Sequence, residues 1–218
     1  MITNKQKSFK KPLIIAITGG SASGKTFITK QLCNKLNLKN KKTLHISQDN
    51  FYKKYSEHER ELIKNNKFNF DRPSLINFNE IKKVLDKLIN YQNCKIPIYS
   101  YKDTNIIGFT EINEKYDIII IEGIFILYEE SLLKYFDIKI FVDTSPEIRF
   151  QRRLQRDITS RMKLSLQEHM NLYTKYVCNS FNKYILPLKY KVDLIVNGNE
   201  NCDIFIELML NYILNFYF

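Results

Sequence analysis

A chain of 218 residues, 44% hydrophobic and 26% charged, can bury one sizeable core and is too apolar for a disordered segment. Its formal charge of +11 favours polyanionic ligands, either nucleic acid or the phosphates of a small molecule. Lysines scattered singly among asparagines (Lys35, Lys39, Lys41, Lys42, Lys64, Lys67) form no stripe interleaved with aromatics. The charge therefore reads as a compositional bias toward Lys, Asn and Ile, and no nucleic-acid partner is expected.

An apolar run at 13–18 reads as a buried strand and 25–38, with Ile28, Leu32 and Leu36 at helical spacing, as a helix. Between them lies Gly19-Gly20-Ser21-Ala22-Ser23-Gly24-Lys25-Thr26, a GxxxxGK[ST] match in the strand–loop–helix context that makes it a phosphate site. An ordinary glycine–serine turn would not need every fixed position and both flanking elements. Gly19 and Gly24 are expected at positive φ, and the loop amides form a nest backed by the helix dipole. Lys25 would reach the β/γ-phosphates, and Thr26 would hold Mg²⁺.

Residues 43–47 read as a second strand, followed by Gln48-Asp49-Asn50-Phe51-Tyr52. Ligands in open α/β sheets bind at the carboxyl ends of strands, so Asp49 is placed to accept a proton from a substrate hydroxyl or to share the metal. A short polar helix at 57–66, a turn at Asn69-Phe70-Asp71-Arg72-Pro73-Ser74 and an amphipathic helix at 79–91 follow. Two β-like pieces, 95–101 and 106–112, flank the turn Lys102-Asp103-Thr104-Asn105 and predict a hairpin.

The β-branched run 118–121 predicts a strand buried on both faces. It ends in Glu122, the Walker B arrangement, where a carboxylate reaches Mg²⁺ directly or through water; a strand-capping acid is the plainer alternative. A helix is predicted at 127–136 and a strand at 138–142. Arg149, Arg152, Arg153, Arg156 and Arg161 then cluster in a helix and the turn after it, in a chain otherwise rich in lysine. The planar guanidinium suits bidentate phosphate recognition, so a lid over a triphosphate is favoured over a solvated face paired to Glu147. A long helical stretch at 165–187, a strand at 192–196 and a C-terminal helix complete the chain.

The alternation predicts an α/β fold: a P-loop NTPase-type parallel sheet flanked by helices, with an arginine-bearing lid (about 149–165) and a small β-hairpin insert (about 95–112), all in one domain over 1–218. The four cysteines are far apart without a CxxC pair, and none of the three histidines sits at ligand spacing with a cysteine. A zinc site or disulfide framework is not expected, and a reducing cytoplasm fits. The start of the chain has no signal-peptide core, and the apolar tail at 204–218 is shorter than the ~20 residues a membrane span needs.

Several segments, in order along nearly the whole chain, resemble the uridine kinase (uridine–cytidine kinase) family within the phosphoribulokinase-like group of P-loop kinases. They are the glycine loop, Ser47-Gln48-Asp49-Asn50-Phe51-Tyr52-Lys53, Asn69-Phe70-Asp71-Arg72-Pro73, Ile96-Pro97-Ile98-Tyr99-Ser100-Tyr101, Ile121-Glu122-Gly123-Ile124, Phe141-Val142-Asp143-Thr144 and Arg152-Arg153-Leu154-Gln155-Arg156-Asp157-Ile158. The resemblance implies transfer of the γ-phosphoryl of ATP or GTP, with Mg²⁺, to the 5′-hydroxyl of uridine or cytidine, in a homo-oligomer, commonly a tetramer. It implies Asp49 as base and metal neighbour, Asp71 on the ribose, Tyr99 on the nucleobase and Arg153 on the substrate side. Arg156 and Arg161 would contact phosphates, and Glu122 with Thr26 the metal.

The sequence departs from that pattern where the base is read. The family's hairpin histidine and arginine are replaced by Thr104 and Ile106, and a Glu-Arg-Gly-Arg stretch by Ser160-Arg161-Met162-Lys163. Asn171 or Leu172 stands near the family's substrate-side glutamine. A kinase of another nucleoside or small hydroxylated acceptor is therefore an alternative, and from other classes a nucleic-acid-acting module or a non-catalytic nucleotide sensor. Retained Lys25, Asp49 and Glu122 argue against the sensor.

Overall fold

The computed structural model describes residues 11–157 and 165–218. The first apolar run forms strand β1 (Leu13–Gly19), which passes through the glycine loop into helix α1 (Lys25–Leu38) and strand β2 (Thr43–Ser47). A 3₁₀ turn (Gln48–Phe51), helices α2 (Glu57–Lys64) and α3 (Phe78–Ile89), and hairpin strands β3 (Cys94–Ser100) and β4 (Asn105–Ile112) follow. Next come strand β5 (Ile118–Glu122), helix α4 (Glu130–Leu133), strand β6 (Ile138–Asp143) and helix α5 (Pro146–Arg156). After residues 158–164, helix α6 (Leu166–Leu172) leads through wider turns to strand β7 (Leu194–Asn197) and helix α7 (Asp203–Tyr217).

Five strands form one parallel sheet in the order β2-β5-β1-β6-β7, while β3 and β4 pair antiparallel in a sheet of their own. Alternation along each strand sends side chains to opposite layers. Ile15, Ile17, Ile120, Ile140 and Val142 face α1 and α7, against Ile28, Leu32, Ile206 and Ile213. Ile14, Ala16, Ile119, Ile121 and Phe141 face the other layer, where α3 contributes Ile81, Val84, Leu85 and Leu88. Covering on both faces is why β1 and β5 are apolar at nearly every position. Among the described helices none is long and apolar enough to cross a membrane.

Three predicted elements differ. The helix expected at 127–136 shrinks to the single turn of α4, because the Glu129 carboxylate accepts the Ser131 amide and starts the helix late. Phe125, Ile126 and Leu127 are instead fully buried in a turn, with the Phe125 amide donating to Gln48 Oε1 at 2.9 Å. The stretch 165–187 is helical but not one α-helix. Apart from Ser180, its buried residues His169, Tyr173, Val177, Phe181 and Ile185 recur every fourth position. In an α-helix that stripe would rotate by about 40° per step; π-type turns at Tyr173–Cys178 and Phe181–Ile185 keep it facing inward. The last strand begins two residues later than expected, at Leu194, because a 3₁₀ turn occupies Leu186–Lys191 and the Asp193 side chain accepts the Lys139 amide at 2.7 Å.

Leu32 of α1 is fully buried against β1 and β5. Leu32→Ala should lower the unfolding free energy by about 2–5 kcal/mol, read from urea denaturation, through lost apolar contact and the cavity left behind.

Candidate active site

The glycine loop takes its shape from its neighbours. Gly19 and Gly24 have φ of 146° and 102°, a region L side chains rarely adopt, and Gly24 caps α1 with no side chain covering the helix amides. No acidic residue lies in the first turn of α1, so the positive end of its dipole is open to an anion. Gly20 is tight for a different reason: a Cβ there would sit 2.6 Å from Arg149 Nη1 and 2.8 Å from its Cδ. Arg149 cannot swing aside freely, since its Nε donates to Thr144 O at 3.0 Å and its guanidinium lies 3.8 Å from the Phe181 ring centre. It is a buried post behind the loop, whereas Arg152, Arg153 and Arg156 line the cleft in front.

That cleft has a volume of about 340 Å³ and is bounded by Ser21, Ala22, Gly24, Lys25 and Thr26 on one side. Asp49, Asp71, Tyr99, Tyr101 and Glu122 also line it. Gly19 and Ser23 stand behind the loop: Gly19 lies against the Val142 carbonyl, and Ser23 O accepts the Thr144 hydroxyl at 2.8 Å. The Lys25 ammonium is buried and donates to Gly20 O at 2.8 Å. The Thr26 hydroxyl donates to Glu122 Oε1 at 3.0 Å, and His45 Nε2 lies 3.8 Å from the same oxygen. A second hollow of about 310 Å³ shares Asp71, Tyr101, Thr104 and Arg153 with the first and extends to His169 and Tyr176.

Opposed charges hold the two hollows together. Arg153 Nη1 donates to Ser21 Oγ at 2.9 Å, while its other nitrogens lie 3.5 Å from Asp71 and 3.3 Å from Asp157. Burial works against the charge of Arg153, but the Asp71 and Asp157 carboxylates outweigh it and raise its pKa. Arg156 Nε donates to Asp157 Oδ1 at 2.9 Å. Burial lowers the pKa of Lys25, against the pull of the Glu122 and Asp49 carboxylates and with the help of Arg156 and Arg149. Glu122 is held below the usual carboxylate range: burial would raise it, but the His45 imidazole, the Lys25 ammonium and the Thr26 hydroxyl prevail.

All the expected site residues within 11–157 line this cleft or brace its glycine loop; Arg161 and the Ser160–Lys163 replacement lie outside the described residues. Tyr99 reaches the Tyr55 hydroxyl at 3.0 Å, and its ring centre lies 5.0 Å from that of Tyr52, the planes tilted by 36°. Thr104 lines both hollows, whereas Ile106 lines neither. Sequence reasoning missed His45, Tyr101 and Asp157. Tyr101 was findable, two residues from Tyr99 and so on the same side of an extended chain, and Asp157 sits four residues beyond Arg153 on a helical period. Nothing in the sequence marks His45.

A model of the phosphoribulokinase/uridine kinase family matches residues 14–204. The chain belongs to that family. Among curated relatives, uridine-cytidine kinase B of Dictyostelium discoideum is 35% identical over 98% of this chain and 86% of its own length. A uridine kinase of Lactobacillus helveticus is 36% identical over 92% of this chain and 93% of its own length. Among solved structures, a phosphoribulokinase from Rhodobacter spheroides superposes with a TM-score of 0.63 at 16% identity, over 88% of this chain and 74% of that one. At that identity it bears on the fold, a parallel sheet flanked by helices.

Two outcomes test the packing of this family member's site. Gly20→Ala should cost about 1–3 kcal/mol of stability by overpacking against Arg149. Combined with Arg149→Ala its cost should fall, a non-additivity expected of residues in contact. Burial also lowers the pKa of His169, so the unfolded chain binds its proton first as pH drops below the ordinary histidine value of 6.5. Stability should then rise with pH through the window below 6.5. In His169→Gln that component of the slope should vanish, as read from chemical unfolding at a series of pH values.

Proposed function

We propose that this protein transfers the γ-phosphoryl group of ATP to the 5′-hydroxyl of uridine or cytidine. The observation that carries the reading is that Asp49 and Lys25 line one cleft. A carboxylate and an ammonium so arranged can take the alcohol's proton and offset charge on the diphosphate that leaves the γ-phosphorus. The uridine kinase activities in the names of relatives at about 35% identity point the same way and do not favour another class of acceptor.

Phosphoryl transfer asks the protein to position its reactants and to offset charge on the equatorial oxygens. The loop amides and the N-terminus of α1 suit the triphosphate, and the buried Lys25 ammonium, bonded to a carbonyl in the structure, is suited to exchange it for a phosphate oxygen. Arg153, Arg156 and Arg161 are proposed to close over the phosphates and the acceptor. Thr26 and Glu122, with their oxygens 3.0 Å apart, fit Mg²⁺ as hard oxygen donors, and Asp49 stands as a metal neighbour. Mg²⁺ so held would neutralise charge between the β- and γ-phosphates. Asp71 is proposed to take the ribose hydroxyls and Tyr99 the nucleobase.

Cytoplasmic action is proposed on the free thiols of Cys33, Cys94, Cys178 and Cys202. A homo-oligomer, a tetramer by resemblance, is supported by Ile107 and Phe109, which stand exposed on the hairpin.

A coupled assay of nucleotide turnover with a panel of nucleosides tests the reading. Uridine or cytidine should stimulate turnover, and Asp49→Asn should reduce it by about 10²–10⁴-fold with nucleotide binding retained. Turnover that ignores both pyrimidine nucleosides would remove the proposal.

A further inference from the structure

We propose that Tyr101 is a placeholder on Asp49, whose phenol hydroxyl occupies the carboxylate until an acceptor alcohol displaces it, so that the site selects an alcohol over water. The inference rests on the reading of Asp49 as the base. Its observation is a direct hydrogen bond from the Tyr101 hydroxyl to Asp49 Oδ2.

Local structure fixes that contact from both sides. Asp49 sits in the 3₁₀ turn after β2, where its amide faces Ser47 Oγ at 3.3 Å. Strand β3 lies against this turn, with the Tyr99 amide facing Asn50 Oδ1 at 3.5 Å. The hairpin turn beyond it is tied by Ser100 and Asp103: the Ser100 hydroxyl donates to Asp103 Oδ2 at 2.5 Å, and the Asp103 amide returns to Ser100 Oγ at 3.2 Å. The Tyr101 ring then stands edge-on to Tyr99 at 5.4 Å. It lines both hollows, the one with Lys25 and Thr26 and the one reaching Tyr176.

The chemical consequence concerns a side reaction. A base that can deprotonate an alcohol can deprotonate water. In that event the water oxygen bonds to the γ-phosphorus, the bond to the nucleoside diphosphate oxygen breaks, and the proton passes to Asp49. The triphosphate is then lost as diphosphate and inorganic phosphate. With the phenol hydroxyl donating to Oδ2, that oxygen is withheld from water and the carboxylate is a weaker base toward it. An acceptor that fills the second hollow can push the ring aside and present its own hydroxyl, which follows the same course and yields a phosphate monoester.

Tyr101→Phe keeps the ring and its contact with Tyr99 while removing the hydroxyl. In the full-length protein with MgATP and no acceptor, phosphate release should rise roughly tenfold, the scale of one hydrogen bond to a charged group. Adding Asp49→Asn to Tyr101→Phe should abolish the excess. Unchanged phosphate release in Tyr101→Phe, with its thermal unfolding like that of wild type, would overturn the placeholder. So would a fall in kcat with unchanged hydrolysis, which would make Tyr101 an orienting group for Asp49. If excess release survives Asp49→Asn while wild type phosphorylates uridine normally, the placeholder fails alone. If wild type phosphorylates neither uridine nor cytidine, the reading beneath it fails as well.

Discussion

The register of three neighbouring strands is the constraint on which this site depends. In the parallel sheet Ile17 of β1, Glu122 of β5 and Ser47 of β2 stand side by side. One residue of slip would turn each side chain to the opposite layer. The register is held by isoleucines buried on both faces, so the core that stabilises the protein also sets its chemistry. β2 and β5 end at this level and turn into the Asp49 turn and the Gly123 loop, while β1 runs two residues further, to Gly19, before the glycine loop. Lys25, Asp49 and Glu122 therefore reach one cleft although they are far apart in sequence.

Around that edge the protein separates rigid packing from responsive charge. Behind the loop, Arg149 is stacked on Phe181 and leaves Gly20 no room for a side chain. In front, Arg153 joins Ser21, Asp71 and Asp157 by hydrogen bonds and ion pairs. Buried arginine among carboxylates is a weak source of stability but a good way to fix orientation. The four carboxylates of the cleft, Asp49, Asp71, Glu122 and Asp157, face the four cations of its lining, Lys25, Arg152, Arg153 and Arg156.

The sequence was most readable where one local rule decided the outcome. Buried runs such as 13–18 and 118–121, the glycine spacing and the amphipathic face Ile81, Val84, Leu85 and Leu88 each carry their own signal. It was least readable where distant packing overrode local period. The turn at Phe125 is pinned by Gln48, and the fourfold stripe from His169 to Ile185 demands wider turns than an α-helix provides. Arg149 looked like its neighbours in a basic run, yet only the fold reveals that it supports the loop from behind. Tyr101 could be placed beside Tyr99 from its spacing, but its contact with Asp49 could not, because Asp49 lies on another element.

The central claim is that an acceptor alcohol fits between Asp49 and the terminal phosphate held by Lys25. A crystal structure with uridine and a non-hydrolysable ATP analogue tests it most directly. The account predicts the uridine 5′-oxygen within hydrogen-bonding distance of Asp49 and in line with the γ-phosphorus, with the Tyr101 hydroxyl moved away. A uridine 5′-oxygen turned away from Asp49, or a nucleoside bound outside the two hollows, would contradict it.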